Sequence, residues 1–201
     1  CEKAHAINVM KMAGGFLELG NDVTILCRAP IDKSFKKKDF IKKFNLEKSI
    51  NIKVFPMIKT LFFLDDQYVF AFQSLFHIFF LKADLIYARQ FVLPFLTSII
   101  RINTFVESHT FIERKLFVHK LLVFSSKKLK HFRTLITISE ILKQNFISKG
   151  VPSHKVKIFS SCVDLKLFQK NINYTKKNNP KFTILYSGHF YNYKGLGTIL
   201  D

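Results

Sequence analysis

The sequence predicts an α/β chain: a doubly wound parallel sheet followed by the opening of a second α/β unit. Three observations carry the prediction. Short runs of aliphatic and β-branched residues alternate with longer segments of helical periodicity along nearly the whole chain. Hydrophobic residues make up 48% and aromatics 15% of the 201 residues, with only 7 Gly and 5 Pro, so apolar burial can offset the entropy of ordering. No apolar run approaches the ~20 residues of a membrane-spanning helix. Gln73 and His77 interrupt the stretch Gln67–Leu81, and the run Phe91–Ile100 is too short.

The elements follow in order. From Ala4 to Leu19, Ile7, Met10, Ala13, Phe16 and Leu17 recur at near-helical spacing, and Gly20-Asn21 stops the helix. Gly14-Gly15 falls inside this helix, where the expected role is close packing on a sheet rather than a ligand loop. Asp22–Arg28 reads as a strand buried on both faces. A Lys-rich connection, Lys33–Lys43, leads to strand Ile50–Phe55, a helix within Asp66–Leu81 and strand Asp84–Ala88. Gln90–Ile102 is helical, Thr104–Glu107 a strand, Arg114–Lys130 helical and Thr134–Ile138 a strand. Ser139 is a hydroxyl cap and Gly150 a glycine stop for the next helix, before a short strand at Lys155–Phe159. The Asn- and Lys-rich segment 169–180 reads as a linker. The pattern restarts with strand Lys181–Tyr186, a Ser187-Gly188 turn and a helix opening near Gly195. The organisation is a Rossmann-like domain over 1–168, a linker over 169–180 and the start of a second α/β domain over 181–201.

Net charge is +18, from 32 Lys+Arg against 14 Asp+Glu, so the surface field favours nucleic acid, anionic lipid or phosphorylated small molecules. The excess is mostly Lys, which lacks the planar fork that reads phosphate and guanine bidentately. No RNA- or DNA-binding signature accompanies it, and a specific nucleic-acid partner is not expected; a basic nucleic-acid or polyanion-binding module remains the alternative class. Cys1, Cys27 and Cys162 make no CxxC pair, which fits a reducing, cytoplasmic setting. The seven His show no metal-ligand spacing. The Phe-rich stretch Phe70–Phe80 reads as core or interface. Its alternative is an apolar patch that, beside Lys-rich loops, rests on an anionic membrane surface.

Open parallel sheets hold ligands beyond the carboxyl ends of their strands. Four places qualify: Arg89, Glu107-Ser108-His109, Ser139, and the loop Ser187–Lys194. At this point the sequence resembles a family. Leu135–Ser139, then Gly150-Val-Pro152, Lys155–Phe159 and Val163-Asp164 are similar to the strand, Ser, helix, Gly-Val-Pro, Lys-Ile and Val-Asp passages of GT-B glycosyltransferases of the family 4 type. Leu19–Leu26 is similar to that family's Leu-Gly-His-Glu-Val-Thr-Val. Gly188-His189-Phe190-Tyr191-Asn192-Tyr193-Lys194-Gly195 resembles its Gly-Arg-Leu…Lys-Gly loop, with His189 where Arg is usual. Ser160-Ser161-Cys162 stands in place of the family's Pro-Asn-Gly.

The resemblance implies sugar transfer from a nucleotide-sugar donor to a glycan or lipid-linked acceptor, with retention of anomeric configuration and without a bound metal or cofactor, as in cell-envelope polysaccharide synthesis. It implies that Lys194, His189, Gly188 and Gly195 hold the donor diphosphate. Glu107-Ser108-His109 resembles the family's Glu-x-His, so His109 and Glu107 become the candidate catalytic pair, with Arg89 and Ser139 as candidate cleft residues. Each has a plainer alternative: a structural histidine, a sheet-edge ion pair for Arg89, a helix cap for Ser139, and a solvated helix-start lysine for Lys194. By the same resemblance a first strand with a glycine-rich loop precedes Cys1 and most of the donor site follows Asp201. The chain thus reads as a fragment, inactive alone, of a cytoplasmic enzyme that sits peripherally at the inner face of the membrane.

Overall fold

Residues 4–28, 50–56, 66–111 and 116–160 are described in the computed structural model of this chain. The chain divides into two compact units, Cys1–Val163 and Asp164–Asp201. All described residues belong to the first. The Lys-rich connection 33–43, the linker 169–180, Asp164 and the loop bearing Gly188, His189, Lys194 and Gly195 lie outside them.

Helix α1 (Ala4–Glu18) buries Met10 and Ala13 against Ile25 of β1 (Thr24–Arg28) and against Ile50. It ends as its glycine predicts: Gly20 takes φ +81°, and the Gly20 and Asn21 amides donate to the carbonyls of Leu17 and Phe16 at 2.8 and 3.2 Å. The expected packing role of Gly14 and Gly15 is not what the structure shows. A Cβ built at either meets nothing within 4 Å, because Met10 and Ala13 form the contact face instead.

Strand β2 (Asn51–Phe55) runs parallel to β1, from Thr24 opposite Asn51 to Arg28 opposite Phe55. The two form a sheet of their own. Strands β3 (Leu85–Ala88), β4 (Asn103–Ser108), β5 (Phe132–Thr137) and β6 (Val156–Ile158) form a second parallel sheet, in that order. The α/β class is as expected, but among the described residues the strands are not joined into one hydrogen-bonded sheet. Nor is β1 buried on both faces. Only Ile25 of it is buried, since α1 covers one face, Leu26 packs partly against the next helix, and Arg28 is exposed.

Helices α2 (Asp66–Leu81), α3 (Val92–Ile99), α4 (Leu116–Lys128) and α5 (Glu140–Ser148) supply the crossovers. Ala71, Ile78, Val92, Leu93 and Val118 make one core cluster under α2, α3 and α4. Val106, Leu122, Phe132, Leu135, Leu142, Phe146, Val151 and Val156 make another between β4–β6 and α4–α5. Thr97 of α3 and Thr104 of β4 share a buried hydroxyl hydrogen bond of 2.9 Å that ties helix to strand, and the hydroxyl that accepts across the pair has a backbone carbonyl to donate to, Leu93 for Thr97 or Ile102 for Thr104.

The Ser139 hydroxyl accepts from the Leu142 amide at 3.4 Å and opens α5. Gly150 closes it at φ +99°, with Gly150 and Val151 donating to Ile147 and Phe146. Helix α3 makes the same closing turn without a glycine. Arg101 takes φ +68°, and the Arg101 and Ile102 amides donate to Ser98 and Thr97, which stops the helix short of the expected Ile102.

Helix α2 departs from the expected burial of its phenylalanines. Its inward stripe is Ala71, Ser74 and Ile78, of which Ala71 and Ile78 pack in the cluster with Val92, Leu93 and Val118, while Phe72, Phe76, Phe79 and Phe80 are exposed. Among the described residues no helix is long and apolar enough to cross a membrane.

Candidate functional site

Alternation along two adjacent parallel strands builds the site. Ala88 lies opposite Val106, and both side chains are buried on the sheet face that α3 and α4 cover. Their sequence neighbours therefore project from the other face. Tyr87 and Arg89 at the end of β3 meet Glu107 and His109 at the end of β4. Tyr87 also touches Phe16 of α1 edge-on, with ring centroids 6.0 Å apart, which marks this as the α1 side of the sheet.

Glu107 is the hub. Its side chain is only 9% exposed, and its Oε2 pairs with Arg89 Nε at 3.5 Å while its Oε1 accepts from His109 Nε2. An ionised carboxylate can only accept, so a proton resides on Nε2, and whenever the imidazole is neutral Nδ1 is its acceptor. Glu107 thus fixes the tautomer of His109. The Ser108 hydroxyl donates to the Thr110 carbonyl at 2.9 Å and shapes the turn that carries the imidazole.

One further residue, Tyr87, joins the group, and strand-end reasoning missed it. The Tyr87 hydroxyl donates to Glu107, and its acidity is suppressed well beyond the ordinary phenol range, first by burial and then by the neighbouring carboxylate, with Arg89 opposing. As β3's third residue, Tyr87 is indistinguishable in sequence from an ordinary aromatic strand residue. Gln90 follows Arg89, and both its amide atoms are buried with no hydrogen-bond partner among the described residues. A lone Gln at a strand end gives no sequence signal.

The Tyr87 phenol has a measurable consequence. Its folded-state pKa lies above the unfolded one, so its contribution to stability is fully present below about pH 10 and is lost as pH rises past it. Unfolding midpoints in urea measured from neutral to alkaline pH should fall more steeply for the parent protein than for Tyr87→Phe. Parallel curves would remove Tyr87 from the cluster.

Of the sequence-predicted residues, Arg89, Glu107 and His109 come together. Ser139 does not join them: its hydroxyl serves as the cap of α5. Lys194, His189, Gly188 and Gly195 lie outside the described residues. Among the described residues no three His, Cys, Asp or Glu side chains gather as a metal would require. Burial pushes the Cys27 thiol above its ordinary range, which leaves it a poor nucleophile.

An open parallel sheet with polar side chains beyond its carboxyl ends is the arrangement of α/β proteins that hold ligands at that edge. The sequence specifies which kind. The profile of Glycosyltransferase Family 4 matches residues 6–167, and the chain belongs to that family. Among solved structures, the chain is similar to HepE from Anabaena, crystallised in complex with UDP, at 13% identity and a TM-score of 0.47, over 73% of this chain. The match spans 46% of the HepE chain, less than half its length. No curated protein matches the chain.

Proposed function

We propose that the protein takes part in transfer of a sugar from a nucleotide-sugar to a glycan or lipid-linked acceptor, with retention of configuration and without a metal. The observation that carries this reading is the Glu107–His109 pair, held by Arg89 and Tyr87 at the carboxyl end of β4 in a chain of Glycosyltransferase Family 4. In this reading the acceptor oxygen bonds to the anomeric carbon and gives up its proton to the departing diphosphate, which leaves with the electron pair of the broken sugar–phosphate bond. Nδ1 of His109, left free by the bond at Nε2, accepts a hydrogen bond from the reacting sugar. Glu107 positions that imidazole. Lys194, with His189 beside it and the Gly188 and Gly195 backbone around them, takes up charge on the departing diphosphate. A cytoplasmic setting, the one that the cysteine usage fits, belongs to the same reading.

Binding of a panel of nucleotide-sugars by the protein, measured by calorimetry beside Lys194→Ala, tests the reading. A charge-assisted bond to the donor diphosphate is worth roughly 1.5–3 kcal/mol, so Lys194→Ala should weaken donor binding about tenfold or more. Equal donor affinity in both, together with tight single-stranded RNA binding, would favour a polyanion-binding module, the reading that the +18 charge alone suggests.

A further inference from the structure

We propose that the outer face of the α2–α3–α4 layer seats the protein on an anionic membrane surface. The inference stands apart from the sugar-transfer reading and from the site residues. On α2, Phe72, Phe76, Phe79 and Phe80 follow one another at steps of four, three and one, so they form a single stripe opposite the buried Ala71, Ser74 and Ile78. They are 57%, 71%, 72% and 65% exposed. Helix α3 packs against both α2 and α4 and leaves Ile99 and Ile100 exposed at its end. On α4 the outward stripe is Phe117, Lys120, Phe124 and Lys127, with Lys128 beside it, all exposed, and Phe124 meets Phe95 of α3 edge-on at 6.2 Å. Large apolar side chains concentrated on one outer face are unlike the scattered exposed residues of an ordinary surface.

Charge selects the occupant. Asp66, the first residue of α2, is the one acidic residue in the sequences of α2, α3 and α4, while exposed Lys82, Arg101, Lys120, Lys127 and Lys128 border the phenylalanines. Asp84 and Glu140 lie outside these helices, in the turn before β3 and at the start of α5. Phenylalanine flanked by cations is the composition of a surface that inserts rings below lipid headgroups and pairs its ammonium groups with anionic ones. A second copy of the chain would set cations against cations across a two-fold axis. Single-stranded nucleic acid needs free ring faces along a cationic track. The α2 rings instead pack edge-on against each other, Phe76 with Phe80 at 4.9 Å and Phe79 with Phe80 at 5.8 Å, in a stripe that holds no cation. The Tyr87–Glu107 cluster is on the α1 side of the sheet, so this seating leaves it uncovered.

Flotation of the protein with vesicles of phosphatidylcholine alone, or of equal parts phosphatidylcholine and phosphatidylglycerol, provides the test. The parent should bind only the anionic vesicles, and less as salt is raised. Phe76→Ser/Phe79→Ser/Phe80→Ser, which changes no charge, and Lys120→Glu/Lys127→Glu should each reduce binding about tenfold or more. Lys53→Glu/Lys157→Glu, the same charge change on exposed strand residues elsewhere, should bind as the parent does. All substituted positions are exposed, and unaltered far-ultraviolet circular dichroism would show the fold intact. Parental binding by the Phe variant would overturn the proposal, as would equal losses in both Lys variants. So would a parental dimer that the Phe substitutions convert to monomer, or binding of single-stranded RNA that they abolish while vesicle binding persists.

Discussion

Glu107→Ala is expected to lower the free energy of unfolding by about 3 kcal/mol, near the low end for breaking a buried ion pair because Arg89 keeps some contact with water. The substitution leaves three groups without their common acceptor: the Arg89 guanidinium at 3.5 Å, the His109 imidazole and the Tyr87 hydroxyl. Glu107→Gln keeps the volume and one carbonyl oxygen but turns a donor toward one of those donors, so a loss of about 1–2 kcal/mol is expected. Urea unfolding of the parent, both Glu107 variants, Arg89→Ala and the double variant Arg89→Ala/Glu107→Ala measures this directly. A double-variant loss smaller than the sum of the two single losses is the expected sign that the groups act as one unit. A Glu107→Ala protein within about 0.5 kcal/mol of the parent would mean that the carboxylate is solvated rather than a hub.

Phe146→Ala should cost about 4 kcal/mol, within the range for removing a fully buried ring. Phe146 lies on α5 in the cluster with Leu122, Phe132, Leu135, Leu142 and Val151, and its ring centroid is 6.4 Å from that of Phe91. It also supplies the carbonyl that accepts from Val151 in the closing turn of α5, so the side chain and the helix end are stabilised together. Phe79→Ala, the same chemical change on the exposed stripe of α2, should move stability by no more than about 0.5 kcal/mol. Denaturant midpoints of the two variants compare a core ring with a surface ring. Similar losses in both would show that the α2 phenylalanines are covered after all.

What could be read from the sequence was what local chemistry decides. Ser139 and Gly150 bound α5 because a hydroxyl cap and a left-handed glycine act within one helical turn. Arg89, Glu107 and His109 were legible because a polar residue directly after a strand reaches the carboxyl edge whatever surrounds it. Tyr87 was not, since its role depends on which residue of β4 lies beside it, and register is a tertiary property. The outward turn of the α2 phenylalanines was hidden for a related reason. Both stripes of that helix are spaced like a buried face, and only which of them the neighbouring elements cover decides between them. Arg101 shows the limit of glycine as a stop signal, because α3 completes the same hydrogen-bonded turn around a side chain that ordinarily avoids φ near +68°.

The phenol of Tyr87 has two attachments of different kinds. Its ring edge leans on Phe16 of α1, and its oxygen reaches Glu107. Any drift of the amino-terminal helix therefore tugs on the carboxylate that steers the imidazole, so the polarity of the ligand edge becomes a gauge of how firmly the first helix is seated.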